Sequence, residues 1–258
     1  MYSEEQLYKI FERIGLEYDP AARPDAGLLR SVQLGMATRV PYENLDIVAG
    51  IPLSLDYSDL YEKIVVRHRG GYCFELNGFL GEILRSLGYR VKEVMARYLR
   101  GETEIPMRRH RVVLAKDADG KTWICDAGIG QSAFRIPLPF EEGAVSAQFG
   151  EVYRVEKEPF FGWVISDLHK GEWRRFYSFT EEEQLNIDYI MPSFWCERAS
   201  ESPFISAHML SIKTEDGRMT VDGDEFRVWT GDEVTEMRTI TDEERPALYR
   251  RVFGLAID

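Results

Sequence analysis

The sequence predicts an α+β protein: helices first, then an antiparallel sheet or small barrel, then a mixed C-terminal stretch. Three observations predict it. Apolar residues recur at helical spacing up to Gly88. Beyond Gly88 the apolar runs become short, β-branched and aromatic, and turn signals separate them. With 258 residues, 44% apolar and 12% aromatic, the chain can bury a sizeable core as one large domain or two to three small ones.

Taken in order, Ser3-Glu-Glu-Gln6 reads as a capping box. Leu7, Ile10, Phe11 and Ile14 then follow on one face, and Gly15 stops the helix. A second helix runs from Asp25 through Leu28, Leu29 and Val32 toward Pro41, and a third covers Ser58 to about Val66. The fourth begins around Cys73 with Leu76, Leu80, Ile83, Leu84 and Leu87, and Gly88 lies just past its end. Strands are expected at Tyr89 to Leu99, Arg111 to Ala115, Trp123 to Cys125, Glu151 to Val155 and Trp163 to Ser166. Asp119-Gly120 and His169-Lys-Gly171 supply turns between some of them. A helical stretch is expected from Glu181 to about Ile187, preceding Met191-Pro192. Met209 to Lys213 and Met219 to Val221 then form a hairpin through Glu215-Asp-Gly217, and residues 242–251 a last helix.

Thirty-two basic against 44 acidic residues leave a net charge of −12, which argues against a protein built to hold duplex DNA or an anionic membrane surface. No apolar run is long enough for a transmembrane helix, and Met1-Tyr-Ser-Glu-Glu5 lacks the layout of a signal peptide. Cys73, Cys125 and Cys196 cannot all pair within one chain. Reduced thiols in a cytoplasmic protein are the expectation.

The most unusual segment is Arg69-Gly-Gly-Tyr-Cys-Phe-Glu-Leu-Asn77. Two glycines let the chain turn sharply and deliver Cys73 to a helix N-terminus, where the dipole favours a thiolate. A nucleophile and a merely buried cysteine both fit that design. Of the four histidines, His110 at the head of an apolar strand is the best base. Asp126 ends another apolar strand, where a charge needs a partner, and a carboxylate there suits the role of imidazole orienter. Gly128 and Gly130 beside it would let a ligand approach the backbone, or serve the loop alone.

Five arginines (97, 100, 108, 109 and 111) crowd the same region. They form either a phosphate-receiving patch or a solvated loop. Glu43 and Asn44 interrupt an apolar stretch, and a buried Glu43 would pair with Arg69. No Cys/His pair has the spacing of a metal site.

Four segments together resemble the arylamine N-acetyltransferase family of prokaryotic type. They are Val40-Pro-Tyr-Glu-Asn-Leu-Asp46, the Arg69 to Asn77 block, His110 leading Val112-Val-Leu114, and Trp123-Ile-Cys-Asp-Ala-Gly-Ile-Gly130. Asn186-Ile-Asp188, Ser202-Pro-Phe204 and Gly217-Arg-Met-Thr220 extend the resemblance over nearly the whole chain.

The resemblance implies a helical bundle over residues 1–88, a β-barrel over 89–187 and an α/β lid over 188–258. It also implies a cysteine-protease-like triad of Cys73, His110 and Asp126, with Glu43, Arg69 and Asn77 supporting it and Gly128, Ile129 and Gly130 at the CoA or acceptor cleft. Acetyl-CoA would be the acyl donor and an arylamine or arylhydrazine the acceptor, with no metal. Three positions depart from the family's usual residues: Met36 where many members have His, Ile129 where bacterial members often have Phe, and Cys125 in place of an aliphatic residue. A papain- or transglutaminase-like cysteine hydrolase shares the order Cys, His, acid and is the rival enzyme class. A paralogue that binds CoA or aromatics without turnover is the rival outside enzymes.

Overall fold

The computed structural model describes residues 1–256. Helix α1 (Glu4–Arg13) starts on the expected capping box: the Ser3 hydroxyl accepts from the Gln6 N–H at 3.2 Å and the Gln6 side chain accepts from the Ser3 N–H at 2.9 Å. Helix α2 (Ala26–Arg39) is capped by Asp25, which accepts from the Leu28 N–H at 2.9 Å. Strand β1 (Tyr42–Glu43) and the short helices α3 (Leu45–Val48) and α4 (Tyr57–Tyr61) follow. The expected third helix is thus α4, and it continues as a π-helical turn over Glu62–Val66. Helix α5 (Cys73–Ser86) begins at Cys73, as the glycine pair predicted. It is buried along almost its whole length, packed against the other helices and β3.

Eight strands form one antiparallel sheet: β2 (Arg90–Tyr98), β3 (Arg108–Lys116), β4 (Thr122–Cys125), β5 (Leu138–Pro139), β6 (Val145–Gln148), β7 (Glu151–Glu158), β8 (Gly162–His169) and β9 (Glu172–Glu183). Their order is β5-β4-β3-β2-β9-β8-β7-β6, and contacts between β5 and β7 bring the two ends together into a nearly closed barrel. Its interior holds Val94, Ala96, Val112, Leu114, Phe134, Tyr153, Ile165, Phe176, Tyr177 and Phe179. Helix α6 (Ile190–Arg198) then leads into a second antiparallel sheet of β10 (Met209–Lys213), β11 (Gly217–Asp222), β12 (Glu225–Thr230) and β13 (Glu233–Thr239), followed by α7 (Arg245–Phe253).

Strand β1 joins this sheet at its edge, pairing Tyr42 with Ser211 and Glu43 with Leu210. Among the described residues no helix is long and apolar enough to cross a membrane.

The structure corrects one expected element. Glu181 to Glu183 belongs to β9 and not to a helix; Glu183 lies opposite Val94, and the Trp163 indole donates to Glu181 at 2.8 Å. A 3₁₀ turn over Asn186–Tyr189 leads into α6. Pro192 falls within the first turn of that helix, where its missing N–H has no partner to lose. The helix therefore spans Met191-Pro192 instead of preceding it.

Candidate active site

Cys73 and His110 line a cavity of about 390 Å³ between the helical part, the barrel and the C-terminal sheet. The local chain explains how Cys73 arrives there. A Cβ on Gly70 would lie 2.1 Å from the Pro41 carbonyl oxygen, and one on Gly71 would lie 2.9 Å from the Glu75 side chain. Only glycines admit this path. The Glu43 N–H then bonds the Gly71 carbonyl at 2.9 Å, and the Glu75 carboxylate accepts from the Tyr72 N–H at 3.1 Å, fixing the first turn of α5.

Under that turn lies the predicted ion pair, inside a larger cluster. Arg69 donates to Glu43 at 2.8 and 3.0 Å and to Asp46 at 2.8 Å. Lys63, set in the π-helical turn, joins Asp46 and Glu75 at 2.7 Å each. Burial opposes the Lys63 charge, but Glu75, Glu43 and Asp46 outweigh it and hold Lys63 above the ordinary lysine range. Two cations thus serve three carboxylates directly beneath the cysteine.

His110 is the third residue of β3, two positions inside the strand and not at its head. Its Nε2 lies 2.6 Å from Asp126 Oδ2, with both side chains buried. That pairing leaves Nδ1 as the ring nitrogen available to another partner. The other Asp126 oxygen accepts from the Asn77 amide at 2.8 Å and the Gly128 N–H at 2.9 Å. Asn77 also donates to the Arg111 carbonyl at 2.5 Å and accepts from the Ala127 N–H at 2.9 Å, so one amide ties α5 to both strands. The Tyr177 ring packs edge-on against His110 at 5.5 Å.

The Cys73 thiol donates toward the Arg109 carbonyl at 3.8 Å. Burial pushes this thiol well above the ordinary range, and Cys196 and Asp126 push the same way; a Phe74 N–H and Arg109 oppose them. The helix terminus alone therefore does not supply the thiolate expected from the sequence. Ionisation needs a proton acceptor beside the sulfur.

Gly128 is needed for protein packing, since a Cβ there would sit 2.9 Å from Cys73 Cα. Gly128, Ile129 and Gly130 all line the cavity, and Gly130 adopts a left-handed φ of 67°. The arginines do not form one patch. Arg111 is fully buried in an ion pair with Glu93 and stacks on Tyr189, Arg100 pairs with Asp167, and only Arg109 lines the Cys73 cavity. Cys125 and Met36 are core residues.

Sequence reasoning missed Tyr42, Tyr98, Met209, Ser211 and Arg227 on the cavity wall. Tyr42 sits in the Val40 to Asp46 segment, where nothing local gave it a role; the others come from β2, β10 and β12, and only the topology assembles them. Among the described residues no group of three His, Cys, Asp or Glu side chains could hold a metal ion.

Residues 25–258 match the model of a family described as N-acetyltransferase. The chain is 31% identical to an arylamine N-acetyltransferase of Escherichia coli (strain K12) over 256 residues, covering 98% of this chain and 89% of that protein. It is 33% identical to one of Mycolicibacterium smegmatis, covering 82% of this chain and 78% of that one. A solved arylamine N-acetyltransferase from Salmonella typhimurium superposes with a TM-score of 0.93 at 27% identity, over 100% of this chain and 93% of the other. The enzyme of Mycobacterium marinum, solved in complex with CoA, superposes at 0.89 with 26% identity, over 97% and 93% of the two chains.

Proposed function

This chain belongs to the arylamine N-acetyltransferase family and is a transferase, and from that premise we propose that it moves an acetyl group from acetyl-CoA to arylamines or arylhydrazines through an acetyl-cysteine. Cys73, His110 and Asp126 are the catalytic triad of this reading. The observation that carries it is the 2.6 Å contact between His110 Nε2 and the buried Asp126, made at a cavity that also contains the Cys73 thiol.

With Nε2 protonated and bonded to Asp126, Nδ1 takes the thiol proton. The resulting imidazolium is balanced by the carboxylate, which offsets the burial penalty on the thiolate. The sulfur attacks the thioester carbonyl of acetyl-CoA, and the oxyanion faces first-turn N–H groups of α5, among them that of Phe74. His110 returns its proton to the departing CoA sulfur. An amine then enters the same cavity, loses a proton to His110 as it attacks the acetyl-cysteine, and Cys73 is restored. Exchange of one thioester for another is nearly balanced, so exclusion of water protects the intermediate from hydrolysis.

Glu43, Arg69 and Asn77 hold the α5 start and Asp126 in place on this reading, and Gly128, Ile129 and Gly130 border the donor and acceptor. The three-part division into 1–88, 89–187 and 188–258, with the last part acting as a lid, belongs to the same proposal. So does a cytoplasmic setting, in keeping with three free cysteines.

Intact-mass measurement after addition of acetyl-CoA without an acceptor tests the assignment. One acetyl group is expected on the wild type and none on Cys73→Ser. An acetyl group on Cys125 or Cys196 instead would overturn it.

A further inference from the structure

Two of the four arginines that the Cys73 cavity leaves out, Arg97 and Arg108, meet elsewhere. Arg97 on β2 lies directly opposite Arg108 on β3, and on its other side opposite Ser178 on β9. Like charges directly across a strand pair are destabilising. Nothing nearby neutralises them fully. Arg97 gives a hydrogen bond to the Pro106 carbonyl at 2.5 Å and has no carboxylate partner among the described residues. The nearest carboxylate oxygen to Arg108 belongs to Glu182, 3.6 Å away on a side chain that is 71% exposed. Burial and the Arg108 charge hold Arg97 below the usual arginine range.

These residues line a cavity of about 120 Å³. Ser178 is 1% exposed, and its hydroxyl has no hydrogen-bond partner. A buried hydroxyl without a partner is costly, and here it belongs to the wall of a cavity with two guanidinium groups. Phe160 and Phe161, from the β7–β8 turn, form its rim together with Phe179 and Thr180 of β9, and Phe160 is 63% exposed.

We propose that this cavity is a binding site for a phosphate monoester, its phosphoryl group held between Arg97 and Arg108 and bonded by the Ser178 hydroxyl. Guanidinium forks match tetrahedral oxyanions, and a dianion relieves the like-charge pair that the strand register imposes. The exposed Phe160 face offers a stacking surface to a ring carried by the phosphate. Glu182 is the group the anion displaces, moving from a long contact into solvent. The 3′-phosphate of an acyl donor and an unrelated phosphate share this chemistry. Only the first source rests on the acetyl-transfer reading.

Isothermal titration of the full chain with inorganic phosphate, at constant ionic strength set by chloride, tests the site. Saturable binding is expected, weakened about tenfold or more in Arg97→Gln and in Arg108→Gln, and several-fold in Ser178→Ala. Phe160→Ala should keep phosphate affinity and weaken adenosine 3′-monophosphate. Absence of saturable binding in the wild type, or unchanged affinity in Arg108→Gln, overturns the proposal.

The source is read separately from the KM for acetyl-CoA against its 3′-dephospho form. A higher KM for the dephospho form, abolished in Arg108→Gln, identifies the donor; equal values identify another phosphate. The binding measurements do not depend on transferase activity, so failure of one reading is distinguishable from failure of the other.

Discussion

Gly128→Ala places a methyl group against the nucleophile with little other disturbance. The residue does not have a left-handed φ, so alanine meets no backbone penalty there. Its Cβ would stand 2.9 Å from Cys73 Cα and 3.0 Å from both the Cys73 carbonyl oxygen and the Asn77 amide nitrogen. Ordinary contact begins at 3.4 Å, so the Asp126 loop and the α5 start must separate by about half an ångström. Two of the three obstructing atoms are backbone, and the third is the amide that holds Asp126.

Overpacking of this kind costs roughly 1–3 kcal/mol, which in a chain of this size lowers Tm by about 2–12 °C. A misplacement of 1 Å costs about a hundredfold in rate, so half of that should slow acetylation of Cys73 about tenfold. Release of free CoA thiol in a single turnover, without acceptor, gives that rate directly. Gly130→Ala is the comparison: it carries backbone strain at a φ of 67°, but its Cβ would meet nothing closer than the Tyr42 ring at 3.6 Å. It should lose stability, and its acetylation of Cys73 should fall clearly less than that of Gly128→Ala. Wild-type acetylation and Tm in Gly128→Ala would refute the argument that this glycine sets the nucleophile's position.

Three further outcomes are expected. Asp126→Asn should lower turnover by roughly 10³–10⁴, because an amide nitrogen facing Nε2 forces the ring proton onto Nδ1, the position that must accept the thiol proton; near-normal steady-state rates would remove Asp126 from the catalytic unit. Arg69→Ala and Glu43→Ala each leave a buried charge, at about 3–5 kcal/mol, and the double variant should cost less than the sum; strict additivity of the unfolding free energies would contradict the contacts at 2.8 and 3.0 Å. Ile129→Phe adds a ring face to the cavity wall and should raise kcat/KM for small flat arylamines several-fold, up to about tenfold, while penalising bulky acceptors. Acetylation of Cys73 should change much less in that variant, and equal losses in both half-reactions would show that Ile129 only packs the loop.

The residues proposed to set up the chemistry were legible because local rules govern them. A glycine pair ahead of a helix, an aspartate closing an apolar strand and a histidine in another are readable one segment at a time. What the sequence hid depends on the meeting of distant segments. Gly128 reads as room for a ligand until α5 is seen against it. The five arginines read as one patch because they are close in sequence, yet strand alternation and the irregular β2–β3 register send Arg111 into the core and Arg97 and Arg108 to another cavity. The acidic run at Glu181 reads as helical by composition, and pairing with β2 overrides that propensity.

The edge strand β1 has a consequence for how the molecule comes into being. Tyr42 and Glu43 pair with β10, the Asn44 side chain bonds the Phe204 and Ala207 carbonyls and the Met209 N–H, and the Gly71 carbonyl accepts from Glu43 beside the cysteine turn. Asn44 and Met209 are 165 positions apart. At roughly 5–20 residues per second, a ribosome makes the second partner about 10–30 s after the first. During that interval the α5 start lacks its last restraint, and the Cys73 thiol has no wall from β10 or β11 to shield it. Closing so long a loop also delays folding after release, since contacts of such separation are among the slowest to form. The newborn chain therefore carries an accessible thiol before it carries a finished enzyme.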